Sequence, residues 1–193
     1  MKKIFISLLI AVLTIPAINA QFTKIGGGVG YGTGFWFHKM EYDYNRSGHF
    51  PVFLEGIYEI TVPLHVTGRI SYFFPHVTKE EFEKVSVSSM MFDINGHYVF
   101  NSLDRLEFYG LAGMDILLTW KKTKYESAMS ETYHENDNAI GLNLGGGACF
   151  KITNQFDLFA EAKYIVSKYG QFMANAGILI NIDWMKKHEN DPK

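Results

Sequence analysis

The chain holds a single cysteine, Cys149, in 193 residues, so no internal disulfide can staple it. A chain of this length must then draw its stability from elsewhere. Beyond the first twenty residues, no apolar run approaches the roughly 20 residues that a membrane-spanning helix needs. Basic residues gather only in short runs such as Lys121, Lys122 and Lys124, so nucleic acid is not an expected partner. The seven histidines show no compact HxxxH spacing. His38, His49, His76 and His134 fall in or near expected loops, and His65 and His97 lie near short turns. No metal or other cofactor is expected. The stretch GGGVGYGTG (Gly26 to Gly34) lacks the Lys-Ser/Thr and the helix that complete a phosphate-binding loop. Its glycines alternate, as a strand facing a crowded interior requires, and GLNLGGGACF reads the same way. Ser71, Ser86, Ser88, Ser89 and Ser167 have His76 and Glu83 nearby in sequence, but no nucleophile-elbow motif surrounds them, so no enzyme is expected.

What the chain does have begins with MKKIFISLLIAVLTIPAINA. Lys2 and Lys3 precede an apolar run from Ile4 to Ile15, then Pro16 and a small-residue end at Ala20. That is the pattern of a secretory signal peptide over residues 1–20, with the expected cut before Gln21. A cysteine at the cut, the mark of a bacterial lipoprotein, is missing. Cleavage removes Lys2 and Lys3 and moves the formal charge from −2 to −4. Aromatic residues make up 16% of the chain and glycines number 18, which favours sheet and tight turns over helix.

Eight segments alternate apolar and polar residues: Thr23–Phe37, Phe50–Ile60, Leu64–Phe74, Val85–Phe100, Arg105–Trp120, Ala139–Ile152, Phe156–Val166 and Gln171–Trp184. Strands of soluble proteins usually run about 5–6 residues, whereas a tilted transmembrane strand needs about 9–11. These segments are all of the longer kind. The connections alternate in length, with Thr61–Pro63, NSLD and TNQ short, and HKMEYDYNRSGH, PHVTKEEFEK and KKTKYESAMSETYHENDN long. SKYG, the last, is a short exception. Short periplasmic turns and longer outer loops are the asymmetry of outer-membrane barrels. An even strand count puts both termini on the short-turn, periplasmic side. Residues 21–184 thus read as one barrel, and residues 185–193 as a polar periplasmic tail. The third long loop mixes both charge signs with Tyr125 and Tyr133 and reads first as solvated.

One face of each segment is apolar. In the last it runs Phe172, Ala174, Ala176, Ile178, Ile180, Ile182, Trp184. The opposite faces carry the in-strand charges, Glu55, Glu59, Arg69, Asp93, Glu107, Asp115, Lys151, Asp157, Glu161, Lys163 and Asp183, together with many glycines. In lipid every backbone N–H and C=O must pair internally, which strands achieve only in a closed barrel. The apolar faces are therefore expected to meet lipid and the charged faces a lumen. Buried charges need partners. Centring the second hairpin on Val62 sets Glu55 opposite Arg69 and Glu59 opposite His65. Asp93 can share Arg69, and Lys163 lies two residues from Glu161. The expectation is a lumen network of Glu55, Arg69, Asp93, Glu107, Asp115, Glu161 and Lys163. Aromatics gather toward strand ends in two expected girdles, Phe35, Phe37, Tyr72, Phe74 and Trp120 at one end, and Tyr98, Phe100, Phe150 and Trp184 at the other.

The leader, the eight-strand rhythm and the final strand GILINIDW resemble the small eight-stranded outer-membrane β-barrel family, OmpA/OmpX-like and OmpW-like, including the Bacteroidetes-type outer membrane protein beta-barrel domain. The resemblance covers the whole mature chain. It implies an all-β, eight-stranded antiparallel up-and-down transmembrane barrel in the bacterial outer membrane. Outer-membrane lipid, lipopolysaccharide and the export and barrel-assembly machinery are the implied partners, and the loops could meet envelope or surface partners. Family barrels often end on an aromatic residue, whereas nine residues follow Trp184 here.

Three functional readings stand at this point. Eight strands leave an interior just wide enough for side chains, which suits a closed-lumen barrel with a structural or surface-interaction role. A transporter of small solutes or apolar molecules of OmpW-like type would need an apolar route, and Leu111, Leu117, Phe159 and Ile165 face inward. A soluble exported lipocalin-like barrel would turn the faces inside out.

Overall fold

The structure is a computed structural model that describes residues 21–33, 50–79, 83–125 and 132–182. The leader, the girdle positions Phe35, Phe37 and Trp184, and the tail 185–193 lie outside the described residues. Eight antiparallel strands close into one ring in chain order: β1 (Gln21–Gly32), β2 (Pro51–Thr61), β3 (Leu64–Lys79), β4 (Glu83–Leu103), β5 (Leu106–Tyr125), β6 (Thr132–Lys151), β7 (Phe156–Val166) and β8 (Gln171–Asn181). β8 returns to β1, with Gly28 opposite Gly177, so neither is a sheet edge.

Local chemistry sets the short turns. Asp104, between β4 and β5, adopts a left-handed conformation (φ 34°), which aspartate tolerates better than most residues. Thr153 Oγ1 accepts hydrogen bonds from the backbone N–H groups of Gln155 and Phe156, both at 3.1 Å, and so closes the β6–β7 turn. These turns, the start of β1 and the end of β8 share one end of the barrel.

The facing follows the sequence alternation. Leu54, Ile94 and Ile140 point outward and are about 70% exposed (71%, 67% and 68%). A belt of exposed aliphatics this continuous is a surface made for lipid, not water. The lipocalin-like facing is thereby overturned: the buried side of the wall holds Glu55, Arg69, Asp93, Asp115, Glu161 and Lys163. Two adjoining strands permit the bore to be filled. At Gly28 a side chain would strike the Ala176 carbonyl and the tip of the Phe53 ring, and at Gly177 it would strike the Gly27 carbonyl and the Phe159 ring. Both aromatic rings turn into the space these glycines vacate.

The strands run further than the hydropathy pattern suggests. β3 continues to Lys79 and β4 starts at Glu83, while β5 continues to Tyr125 and β6 starts at Thr132. Backbone pairing outlasts apolar alternation here because the wall has passed beyond the apolar belt. β3 pairs with β2 only up to Phe73, and β6 with β7 only from Leu142. Beyond those points the strand register continues on the β4 side of β3 and on the β5 side of β6.

Candidate functional site: a two-layer ion network across the bore

Arg69 on β3 is the hub. Its Nε and Nη2 donate to Glu55 Oε2 on neighbouring β2, at 2.9 and 2.6 Å. Nη1 and Nη2 also reach Glu161 on β7, at 2.7 and 3.2 Å. In a ring of eight, β3 and β7 are diametrically opposite, so this fork spans the full bore. The Arg69 side chain is 1% exposed, and Glu55 and Glu161 are 2% and 0%. The guanidinium carbon also lies 4.6 Å from the Phe53 ring centroid and 5.8 Å from that of Phe159. Such a planar cation satisfies two carboxylates and two aromatic faces at once, which a lysine could not. Around Glu161 stand the Tyr109 hydroxyl, donating at 3.4 Å, and Asn175 Nδ2, donating at 3.3 Å. His97 stacks on Tyr109 at 4.6 Å, with Nε2 3.9 Å from Glu161.

A second layer lies one step toward the long-loop end. Lys163 on β7 donates to Asp93 Oδ1 on β4 at 2.6 Å, and both side chains are fully buried. Asn143 on β6 donates to Asp93 Oδ1 and Asn95 Oδ1, at 2.9 Å each. Asp115 faces Asp93 across the β4–β5 pair. The two layers together hold four carboxylates and two cations.

Of the expected network, Glu55, Arg69 and Glu161 meet in one layer, and Asp93, Asp115 and Lys163 lie in the other. Glu107 joins neither. It sits near the short-turn mouth, where Lys151 donates to its Oε1 at 2.7 Å, because only Leu106 separates it from the turn. Lys163 pairs with Asp93 rather than with Glu161, its neighbour on the same face. Lys24 and Asp157 form a further pair at 2.7 Å near the same mouth. These rim charges border an open cavity of about 810 Å³ that narrows to a 40 Å³ void against Arg69, Tyr109 and Phe159.

The inward apolar residues do not form one route. Leu117 and Ile165 pack with Phe73, Met91 and Met173 on the long-loop side. Leu111 and Phe159 pack with Phe53, Tyr109 and Leu179 on the other. The ionic layers come between. The candidate hydroxyls are dispersed too: Ser86 and Ser88 face outward, Ser89 shares a hydrogen bond with Thr119 at 3.1 Å, and His76 lies opposite Val87 on the inward face. Among the girdle residues described, Tyr72, Phe74, Trp120, Tyr98, Phe100 and Phe150 all point outward.

Asn95, Asn143, Asn175, His97 and Tyr109 belong to the network but carry no charge pattern that marks them in sequence. Inward parity is their only signal.

Comparison with known proteins gives the same architecture. A search of curated proteins finds no match. Among solved structures, a major outer membrane protein of Thermus thermophilus matches at TM-score 0.59 and 11% identity, over 83% of this chain and 100% of the other. Neisserial surface protein A matches at 0.55 and 12%, over 83% and 97%. The N-terminal barrel domain of Pseudomonas aeruginosa OprF matches at 0.54 and 13%, over 84% and 98%. Identities this low speak for the fold alone. A family model, the outer membrane protein beta-barrel domain, matches residues 5–185, and the chain is a member of that outer-membrane family.

Proposed function

We propose that this protein is a closed-lumen barrel with a structural or surface-interaction role, not a diffusion pore and not an enzyme. The carrying observation is the Arg69 fork, which joins opposite walls of the barrel with side chains at most 2% exposed. Any solute entering the 810 Å³ mouth meets that layer, and beyond it the Lys163–Asp93 layer. Moving an ion through would mean separating buried charge pairs, which is costly. An apolar route is disfavoured for the same reason, since Leu111 and Phe159 are cut off from Leu117 and Ile165 by those layers.

In this reading residues 1–20 are removed on export, and the short turns, both termini and the polar tail face the periplasm. The barrel-assembly machinery inserts the chain. The surface role rests on the long-loop end. There β3 to Lys79, β4 from Glu83, β5 to Tyr125 and β6 from Thr132 carry the wall past the apolar belt and offer it to a surface partner.

Planar-bilayer recording of the refolded, full-length protein tests this. The expected result is no steady conductance, with unheated and heated gel samples confirming a folded barrel. A stable ohmic step from the folded fraction would overturn the closed lumen.

A further inference from the structure

On the extended part of β3–β6, strand register sorts charge by face. Lys79 lies opposite Lys84, and Lys84 opposite Lys124, so three lysines form a row across three strands. Two residues lower, Lys122 lies between Ser86 and His134. All four lysines and His134 are exposed and share the outward parity of Trp120. The acids of the same stretch, Glu83, Glu135 and Asp137, have the opposite parity, and Glu135 is paired with Lys121 on that inner face at 3.2 Å. Among the described residues the outward face here carries no acid. Glu80, Glu81, Glu126 and Glu131 of the connecting turns lie outside them.

Directly opposed like charges destabilise a sheet. Paired positions on adjacent strands are about 4.5–5.5 Å apart, so this row has a use for a multivalent anion. Its height identifies which. Lys122 and Lys124 stand two and four residues beyond Trp120, about 7 and 13 Å along the strand. At a tilt of about 40° that is about 5 and 10 Å further from the bilayer centre. That is headgroup depth, on the lateral wall, continuous with the apolar belt.

We propose that Lys79, Lys84, Lys122 and Lys124 bind the phosphates of the glycolipid in the surrounding outer leaflet. A soluble polyanion would more naturally meet the distal tip than a wall flanked by lipid. The proposal deepens the surface-interaction reading and rests on the long-loop end facing outward. The lysines act as point charges for phosphate, with their aliphatic stems lying along the wall.

The test uses the full-length folded barrel in detergent micelles, titrated with lipid A that retains its phosphates and with lipid A stripped of them, and read by native mass spectrometry. Phosphorylated lipid A is expected to bind in a salt-sensitive way, and the stripped form to bind weakly. The K79Q/K84Q/K122Q/K124Q variant lowers affinity by about tenfold or more, and arginine at all four positions retains it. Equal binding of the two lipids by the wild type overturns the proposal even if the glutamine variant fails to fold. So does unchanged binding by a folded glutamine variant. Orientation is read separately, by labelling Thr132→Cys in intact cells with an impermeant thiol reagent. Labelling supports the outward placement. A T132C chain that labels only after lysis overturns the orientation, and this site with it, whereas labelled cells combined with lysine-independent lipid binding refute the site alone.

Discussion

Replacing Arg69 by methionine keeps most of the side-chain volume and deletes the charge. The structure indicates what is left behind. Glu55 and Glu161, 2% and 0% exposed, lose contacts of 2.6–3.2 Å and retain no other cation at that distance among the described residues. Removing one partner of a buried ion pair costs about 3–5 kcal/mol because the remaining charge is stranded. Against a total stability of about 5–15 kcal/mol, that is a large share. The cost is a property of stranded charge, so it should be reversible. The triple variant E55Q/R69M/E161Q removes both orphan carboxylates and is expected within about 2 kcal/mol of wild type, since neutral replacement of a buried ionic cluster is often near neutral. Urea unfolding in lipid vesicles measures both, with the heat-dependent gel shift as the folding readout. A loss below about 1 kcal/mol for R69M, the range of an exposed ion pair, would refute the reasoning. So would a triple variant no more stable than R69M, because the damage would then lie in packing around Phe53 and Phe159 rather than in charge.

Two further perturbations probe the second layer and the outer wall. Lys163→Met strands Asp93 and Asp115, which face each other across β4 and β5. A loss of about 3–5 kcal/mol is expected in the same urea assay, relieved when Asp93→Asn is added. Leu142 faces outward opposite Met114, midway between Trp120 and Phe108 on β5. Leu142→Arg is expected to cost about 2–4 kcal/mol at the bilayer midplane. A water-facing wall would give a change near zero, read as an unmoved urea midpoint.

The hairpin registers are legible in the sequence because a tight turn fixes them. Centring on Val62 gives Glu55 opposite Arg69 and Glu59 opposite His65, which are the observed partners. Pairing across the bore is another matter. Arg69 and Glu161 are 92 residues apart, and Asp93 and Lys163 are 70 apart. No local pattern joins them, only ring closure and the tilt of the strands. Glu107 shows the converse failure. It has the right parity for the network, but parity says nothing about height along the barrel, and height places it on Lys151 at the mouth. Strand ends escape a hydropathy reading for a third reason. The β3 to Lys79 and β6 from Thr132 extensions lack apolar alternation, because beyond the apolar belt a strand can be polar on both faces.

Alternation alone also underdetermines the barrel itself. A one-residue slip between neighbouring strands would turn lipid-facing residues inward and is strongly penalised. A two-residue slip keeps every side chain on its proper face, so the apolar pattern does not resist it. The charges do. Sliding β3 by two against β2 would set Arg69 opposite Phe53 or Ile57 in place of Glu55, with which it forms the cross-strand ion pair. That slip leaves Glu55 buried without its cross-strand cation, the stranded charge whose cost was worked out for R69M. The contact between Arg69 and Glu161 extends the constraint to strands that share no backbone hydrogen bond, since β3 and β7 must arrive at matching heights for the fork to close. The buried ions thus select among registers that hydropathy leaves equivalent, and the same contacts that fix the register fill the bore.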